Sequence, residues 1–130
     1  MRLHEFADLL VTLMAFQGYH DVPPPKMFVV PSTFLNQMYP QLKDARAIHD
    51  CKIKTIFMAD KFDPRNVYDV ATAAYETRRH LQCLDGRTPK VCAGKRRAEA
   101  YAVATLYLES QRIKISPALL PAAPATHYSA

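Results

Sequence analysis

Proline decides where this chain can run on and where it must turn. Ten prolines stand against three glycines. Each proline fixes its own φ and pushes the residue before it out of the helical region. The segment Asp21-Val22-Pro23-Pro24-Pro25 is therefore extended, and it feeds Lys26-Met27-Phe28-Val29-Val30, whose composition predicts a short strand. Pro31 opens a second helix with Ser32 as candidate N-cap and Phe34, Leu35 and Met38 as its buried face, and Pro40 ends it. Pro64, closing Asp60-Lys61-Phe62-Asp63-Pro64, breaks the chain again, and Pro89 with Asp85-Gly86 marks a loop over 84–94. The stiff connections leave no glycine-rich phosphate loop, and no serine sits in a nucleophile-elbow motif.

Between these breaks the periodicities are readable. Leu3, Phe6, Leu10, Leu13, Met14 and Gln17 recur at three and four, which predicts a helix over 3–17 with Gly18 as its C-cap. His4, Glu5 and Asp8 make that segment an amphipathic helix and a poor signal peptide. Residues 46–49 and 52–58 read as a hairpin turning near Asp50. Ile53, Thr55 and Phe57 share one face of its second strand, and Lys52, Lys54 and Ile56 form a wet one. A central helix follows over 69–82, capped by Asn66 or Asp69, and a last one over 95–112. Beyond Pro117 a proline- and alanine-rich stretch with few apolar anchors is expected to be a flexible tail. The 130 residues suffice for one core. The expected fold class is α+β: a small three-stranded, mostly antiparallel sheet packed against an N-terminal, a central and a C-terminal helix, over a single domain 1–116 with the tail at 117–130.

No apolar run approaches the ~20 residues of a membrane helix, and a cytoplasmic location is expected. Three cysteines allow Cys83 and Cys92 to staple the insert between them, with Cys51 then free; without a secretory signal reduced thiols are the default. The net charge of +5 permits contact with nucleic acid. Arg78, Arg79, Arg87, Lys90, Lys95, Arg96 and Arg97 would form the phosphate-binding face, unless Arg78 and Arg79 point inward.

In the central helix Val67, Val70, Ala71, Ala74 and Leu81 fall on one side, with Arg78 among them, and Tyr68, Thr72, Tyr75 and Arg79 on the neighbouring stripe. Glu76 and His80 lie farther round, one turn apart, and read as a surface pair. In His-Glu-x-x-His, two histidines one turn apart grip zinc and the glutamate takes a proton from the metal-bound water. The corresponding frame is Tyr75-Glu76-Thr77-Arg78-Arg79. Glu76 holds the general-base position and is the candidate catalytic residue. Tyr75 is a poor zinc ligand, and Arg79, always protonated, cannot be one. On the last helix Glu99, Ala102, Val103, Leu106, Ser110 and Ile113 make the expected core stripe, so Glu99 needs a partner that Arg79 can supply in place of a metal. A rotated metal set of Glu76, His80 and Glu99 is the alternative. His4, His20, His49 and His127 show no ligand spacing. Tyr75, Arg79 and Tyr101, beside Tyr68, outline a candidate cleft for a protein partner.

Thr55-Ile56-Phe57-Met58, Asp63-Pro64, Tyr75-Glu76-Thr77-Arg78-Arg79-His80-Leu81-Gln82, Cys92 and Arg96-Arg97-Ala98-Glu99-Ala100-Tyr101-Ala102 form an ordered set. It resembles a family of small bacterial proteins of the minimal zincin type, which share an Ile-Phe-Leu strand, an Asp-Pro turn, a His-Glu-Leu-Val-His-His-Leu-Gln helix, a cysteine and Glu-x-x-Ala-Tyr. The likeness covers under half of the chain. It implies a gluzincin-like arrangement, with two ligands from the central helix and Glu99 as the third. This sequence departs at both helix ligands, Tyr75 and Arg79, while keeping Glu76, His80 and Glu99. The resemblance thus implies a degenerate domain that acts in binding or as structure, without a cofactor and without active metallopeptidase chemistry. The alternatives are a zinc-dependent hydrolase using Glu76, His80 and Glu99, and a basic nucleic-acid-binding module.

Overall fold

The computed structural model describes residues 3–42, 44–85 and 93–111. The elements run α1 (Leu3–Phe16), β1 (Lys26–Val30), α2 (Ser32–Met38), β2 (Ala47–Asp50), β3 (Thr55–Ala59), α3 (Val67–Leu84) and α4 (Ala93–Ser110). This is the expected order of an α+β domain. None of the described helices is long and apolar enough to cross a membrane. The segment 117–130, Cys92 and most of the 84–94 loop lie outside the described residues.

Helix α1 buries Phe6, Leu10, Leu13 and Met14, and each such side chain contributes about 2 kcal/mol through the water it sheds. Gly18 ends the helix at φ +89. A Cβ there would meet nothing within 4 Å, so the left-handed backbone alone favours glycine.

The sheet order is β1-β3-β2. Strand β2 runs antiparallel to β3, with Ala47 opposite Met58 and Asp50 opposite Thr55. Strand β1 runs parallel to β3, from Lys26 opposite Thr55 to Val30 opposite Ala59. The sheet is therefore mixed, where a mostly antiparallel one is expected. The expected wet face of the second hairpin strand is also absent. Strand β3 is central and all five of its residues are buried. Lys52, Ile53 and Lys54 belong to the turn before it, with Lys54 at φ +50.

Ile56 and Met58 point to the main core with Ala47, joining α1, α3 and α4. On the other face Ile48, Phe57 and Ala59 meet Leu35, Tyr39 and Leu42. Helix α2 is too short to cover that face. Of its expected apolar side only Leu35 is buried, and Phe34 and Met38 stay partly exposed. Ser32 does not cap it: the N-cap is Pro31 without a side-chain bond, and Ser32 Oγ instead donates to Asp60 Oδ1.

Asn66 caps α3, its Oδ1 accepting from the N–H groups of Tyr68 and Asp69 at 2.9 and 3.2 Å. That leaves the Asp69 carboxylate to take Arg46 through Nε and a terminal nitrogen at 2.9 and 2.8 Å and the Asp63 N–H at 2.8 Å. Strand β2, the Asp63-Pro64 turn and the first turn of α3 are locked together by this one side chain.

Helix α3 is surrounded by α1, β2 and α4. Every residue from Ala71 to Gln82 is buried except Arg78, which is half-buried. The helix is thus central and not amphipathic, which corrects the surface placement of Glu76 and His80. Helix α4 packs on it through Arg96, Ala100, Ala104 and Leu108. The expected stripe is turned aside: Ala102, Leu106 and Ser110 are exposed, and Glu99 and Val103 are half-buried. Small alanines on both helices allow close approach, and they carry little hydrophobic signal by which sequence could mark the face.

Cys51, in the β2–β3 turn, is joined to Cys83 at the end of α3 by a disulfide with Cα atoms 5.9 Å apart. This corrects the expected Cys83–Cys92 staple, the free Cys51 and the default of reduced thiols.

Candidate functional site

The polar interior of α3 divides into two groups. The first lies between α3 and α4. Glu99 Oε1 accepts from Arg78 Nε at 2.7 Å and from Gln82 Nε2 at 3.2 Å. The same Gln82 amide nitrogen donates to the Arg96 carbonyl at 3.0 Å, and its oxygen accepts from Arg79 at 3.3 Å. Glu99 is therefore neutralised by Arg78. Arg79, the cation expected on it, is relayed to it through Gln82. The geometry follows from helix spacing, because Arg79 and Gln82 lie three residues apart on one face of α3.

Arg79 is buried, and burial lowers its pKa while Tyr75 and Glu76 oppose the shift; the guanidinium stays charged. Tyr75 is buried beside it, and burial first, then Glu76, raise its pKa. Its phenol is neutral, not a phenolate ligand. Of the three residues expected to outline a cleft, Tyr75 and Arg79 are buried and Tyr101 is half-buried.

The second group lies between α3 and β2. Glu76 is fully buried, and its Oε2 accepts the backbone N–H of His49 at 3.2 Å. A buried backbone donor at a sheet edge needs such a partner. His80 Nδ1 stands 3.3 Å from His49 Nε2, with the rings edge to face at 5.2 Å. Burial, and secondarily the charge of Lys54, push the His80 imidazole down to about 4, so His80 is neutral at neutral pH.

Glu76 and His80 do come together, but around His49 and not around Glu99. Among the described residues no three His, Cys, Asp or Glu side chains gather at metal-binding distance. The rotated set of Glu76, His80 and Glu99 is not assembled: Glu99 is held by Arg78 and Gln82, while Glu76 and His80 engage His49.

Comparison with protein-family models, with curated proteins and with solved structures finds no match for this chain.

Sequence reasoning missed His49 and Gln82. A signal for His49 exists in the strand alternation: once Ala47 faces the helices, His49 two residues on must do the same. Gln82 carries no such signal, since an amide at a helix end is ordinary until its partners are known. The cationic run also changes character. Arg79 and Arg96 are buried and Arg78 is paired, which removes three positive groups from the surface expected to meet nucleic acid.

Proposed function

We propose that this chain is a minimal zincin-like domain in which a hydrogen-bonded ionic core has replaced the metal centre, and that it acts by binding or as a structural unit. The observation that carries the reading is the Arg78–Glu99–Gln82–Arg79 arrangement. Glu99, at the position of the family's third ligand, already has a full positive charge on it. Arg79, at the second helix ligand position, adds a buried cation that would repel a divalent metal. The element order, with a mixed sheet followed by the Glu76 helix and the Glu99 helix, supports the family reading.

The residues present do not fit zinc. Of the two helix positions, Tyr75 holds a phenol whose ionisation burial opposes, and Arg79 has no lone pair to give. Glu76, at the general-base position, spends one carboxylate oxygen on a backbone N–H inside the fold. A base must reach the proton it removes, and this carboxylate faces the sheet edge. The Cys51–Cys83 disulfide favours an oxidising compartment over the cytoplasmic location expected from sequence.

The test is metal content. Protein purified without an affinity tag, incubated with zinc and dialysed, is expected to retain a substoichiometric amount. Near one zinc per chain, lost in Glu99→Ala or His80→Ala, would overturn the reading and restore a hydrolase using the rotated ligand set.

A further inference from the structure

A recess of about 380 Å³ opens where the extended segment before β1, the β2–β3 turn and the end of α3 meet. Its size falls at the lower end of small-molecule sites, which span roughly 300–1,000 Å³. Pro23, Pro24 and Pro25 line it with Ile53 and Leu84. Ile53 and Leu84 are large apolar side chains left about half exposed. Each is tied down by the chain next to it, because the Cys51–Cys83 disulfide joins the turn that carries Ile53 to the helix end that carries Leu84. The prolines have little backbone freedom to lose. The recess is therefore preformed, which lowers the cost of filling it.

Its charged groups are both cations. Lys26 and Lys54 line it, and His80 lies among the lining residues with its Nδ1 turned to His49. Among the described residues no carboxylate is among the lining side chains. Lys54 is held at φ +50, a strained conformation for a non-glycine residue, and lines the recess. The field of Lys54 is felt by His80, which places the charge close to the ring.

We propose that this recess binds a small carboxylic acid with an apolar body, the carboxylate held by Lys54 and Lys26 and the body packed on the prolines, Ile53 and Leu84. Two cations without a partner carboxylate among the lining groups select an anion, and the apolar lining selects what the anion is attached to. His80 offers its second ring nitrogen, Nε2, as a hydrogen-bonding group to the same ligand. The recess is separate from the Arg78–Glu99 core and shares only His80 with the rotated ligand set, so the lysine variants test it apart from the metal-site reading.

The test is titration of the full oxidised chain with 4-phenylbutyrate, followed by heteronuclear NMR, with 4-phenylbutan-1-ol and acetate as the probes lacking the charge and the apolar body. Phenylbutyrate is expected to shift resonances of Ile53, Lys54 and His80 saturably, with both other probes roughly tenfold weaker, since a charge-assisted bond is worth about that ratio. Lys54→Gln, which keeps the stem and removes the charge, is expected to weaken phenylbutyrate by a similar factor while leaving the melting temperature in place. Lys26→Gln provides the same measurement away from the strained turn. Equal affinity for the acid and the alcohol would overturn the proposal. So would full affinity in both lysine variants, or no saturable shift at millimolar acid.

Discussion

Cys51→Ser lowers the stability of the oxidised protein by roughly 3–4 kcal/mol, and Cys92→Ser does not cost it the disulfide. The bond joins residues 32 positions apart, and the chain-entropy cost that such a loop removes from the unfolded state is of that order. The effect is large against a typical stability of about 5–15 kcal/mol for a domain. Cys51 and Cys83 also fasten the β2–β3 turn to the last turn of α3, so the loss falls on the region holding His49, His80 and the recess. Urea denaturation of wild type and the two variants, with and without reductant, reads the difference directly. Reductant should lower the wild-type midpoint to that of Cys51→Ser. If the true pair were Cys83–Cys92, Cys92→Ser would be the destabilised variant and Cys51→Ser the neutral one.

The second large effect is on acid stability. His80 is neutral in the folded protein down to about pH 4, whereas an unfolded histidine takes a proton near pH 6.5. Between those values the unfolded chain binds more protons than the folded one, so stability is complete above about pH 6.5 and falls as the pH drops. The shift corresponds to roughly 3 kcal/mol in all, with about 2 kcal/mol gone by pH 5. His80→Asn removes the titrating group. Its denaturation midpoints are expected to fall less between pH 7 and pH 5 than those of wild type. Parallel pH profiles for wild type and His80→Asn would show that His80 is not buried against His49 as described.

Much of the fold was legible because it is written locally. The three-and-four spacing of Phe6, Leu10, Leu13 and Met14, the break at Gly18, the prolines around Lys26–Val30 and the cap at Asn66 each act within a few residues. What was hidden depends on distant partners. Nothing near Lys26–Val30 says that this strand pairs parallel with Thr55–Ala59, because the residues between them set no hairpin. The alternation of Lys52, Lys54 and Ile56 suggested a wet strand face, but the lysines belong to a turn and the strand begins after them. Helix α3 defeated the amphipathic reading for a similar reason. Its Glu76, Arg79, His80 and Gln82 are polar yet buried, each satisfied by a partner from another element or another turn. Sequence could mark Glu99 as an acid in need of a cation, but the choice of Arg78 as direct partner, with Arg79 reached through Gln82, is set by how α3 and α4 are rotated against each other.

We propose that α3 and α4 hold the remnant of a zincin-like site, lost by replacement of its two helix ligands and by the pairing of Glu99 with Arg78. It is tested most directly by putting the ligands back. Isothermal titration of zinc into a Tyr75→His, Arg79→His variant that also carries Arg78→Ala to free Glu99, beside wild type, should give one site per chain in the variant and none in wild type. Adding Glu99→Ala should weaken that site by at least tenfold, the loss of one ligand contact. A folded variant of this kind that takes up no more zinc than wild type would contradict the proposal, because two histidines one turn apart and an unpaired Glu99 would then not form the site that the family reading requires.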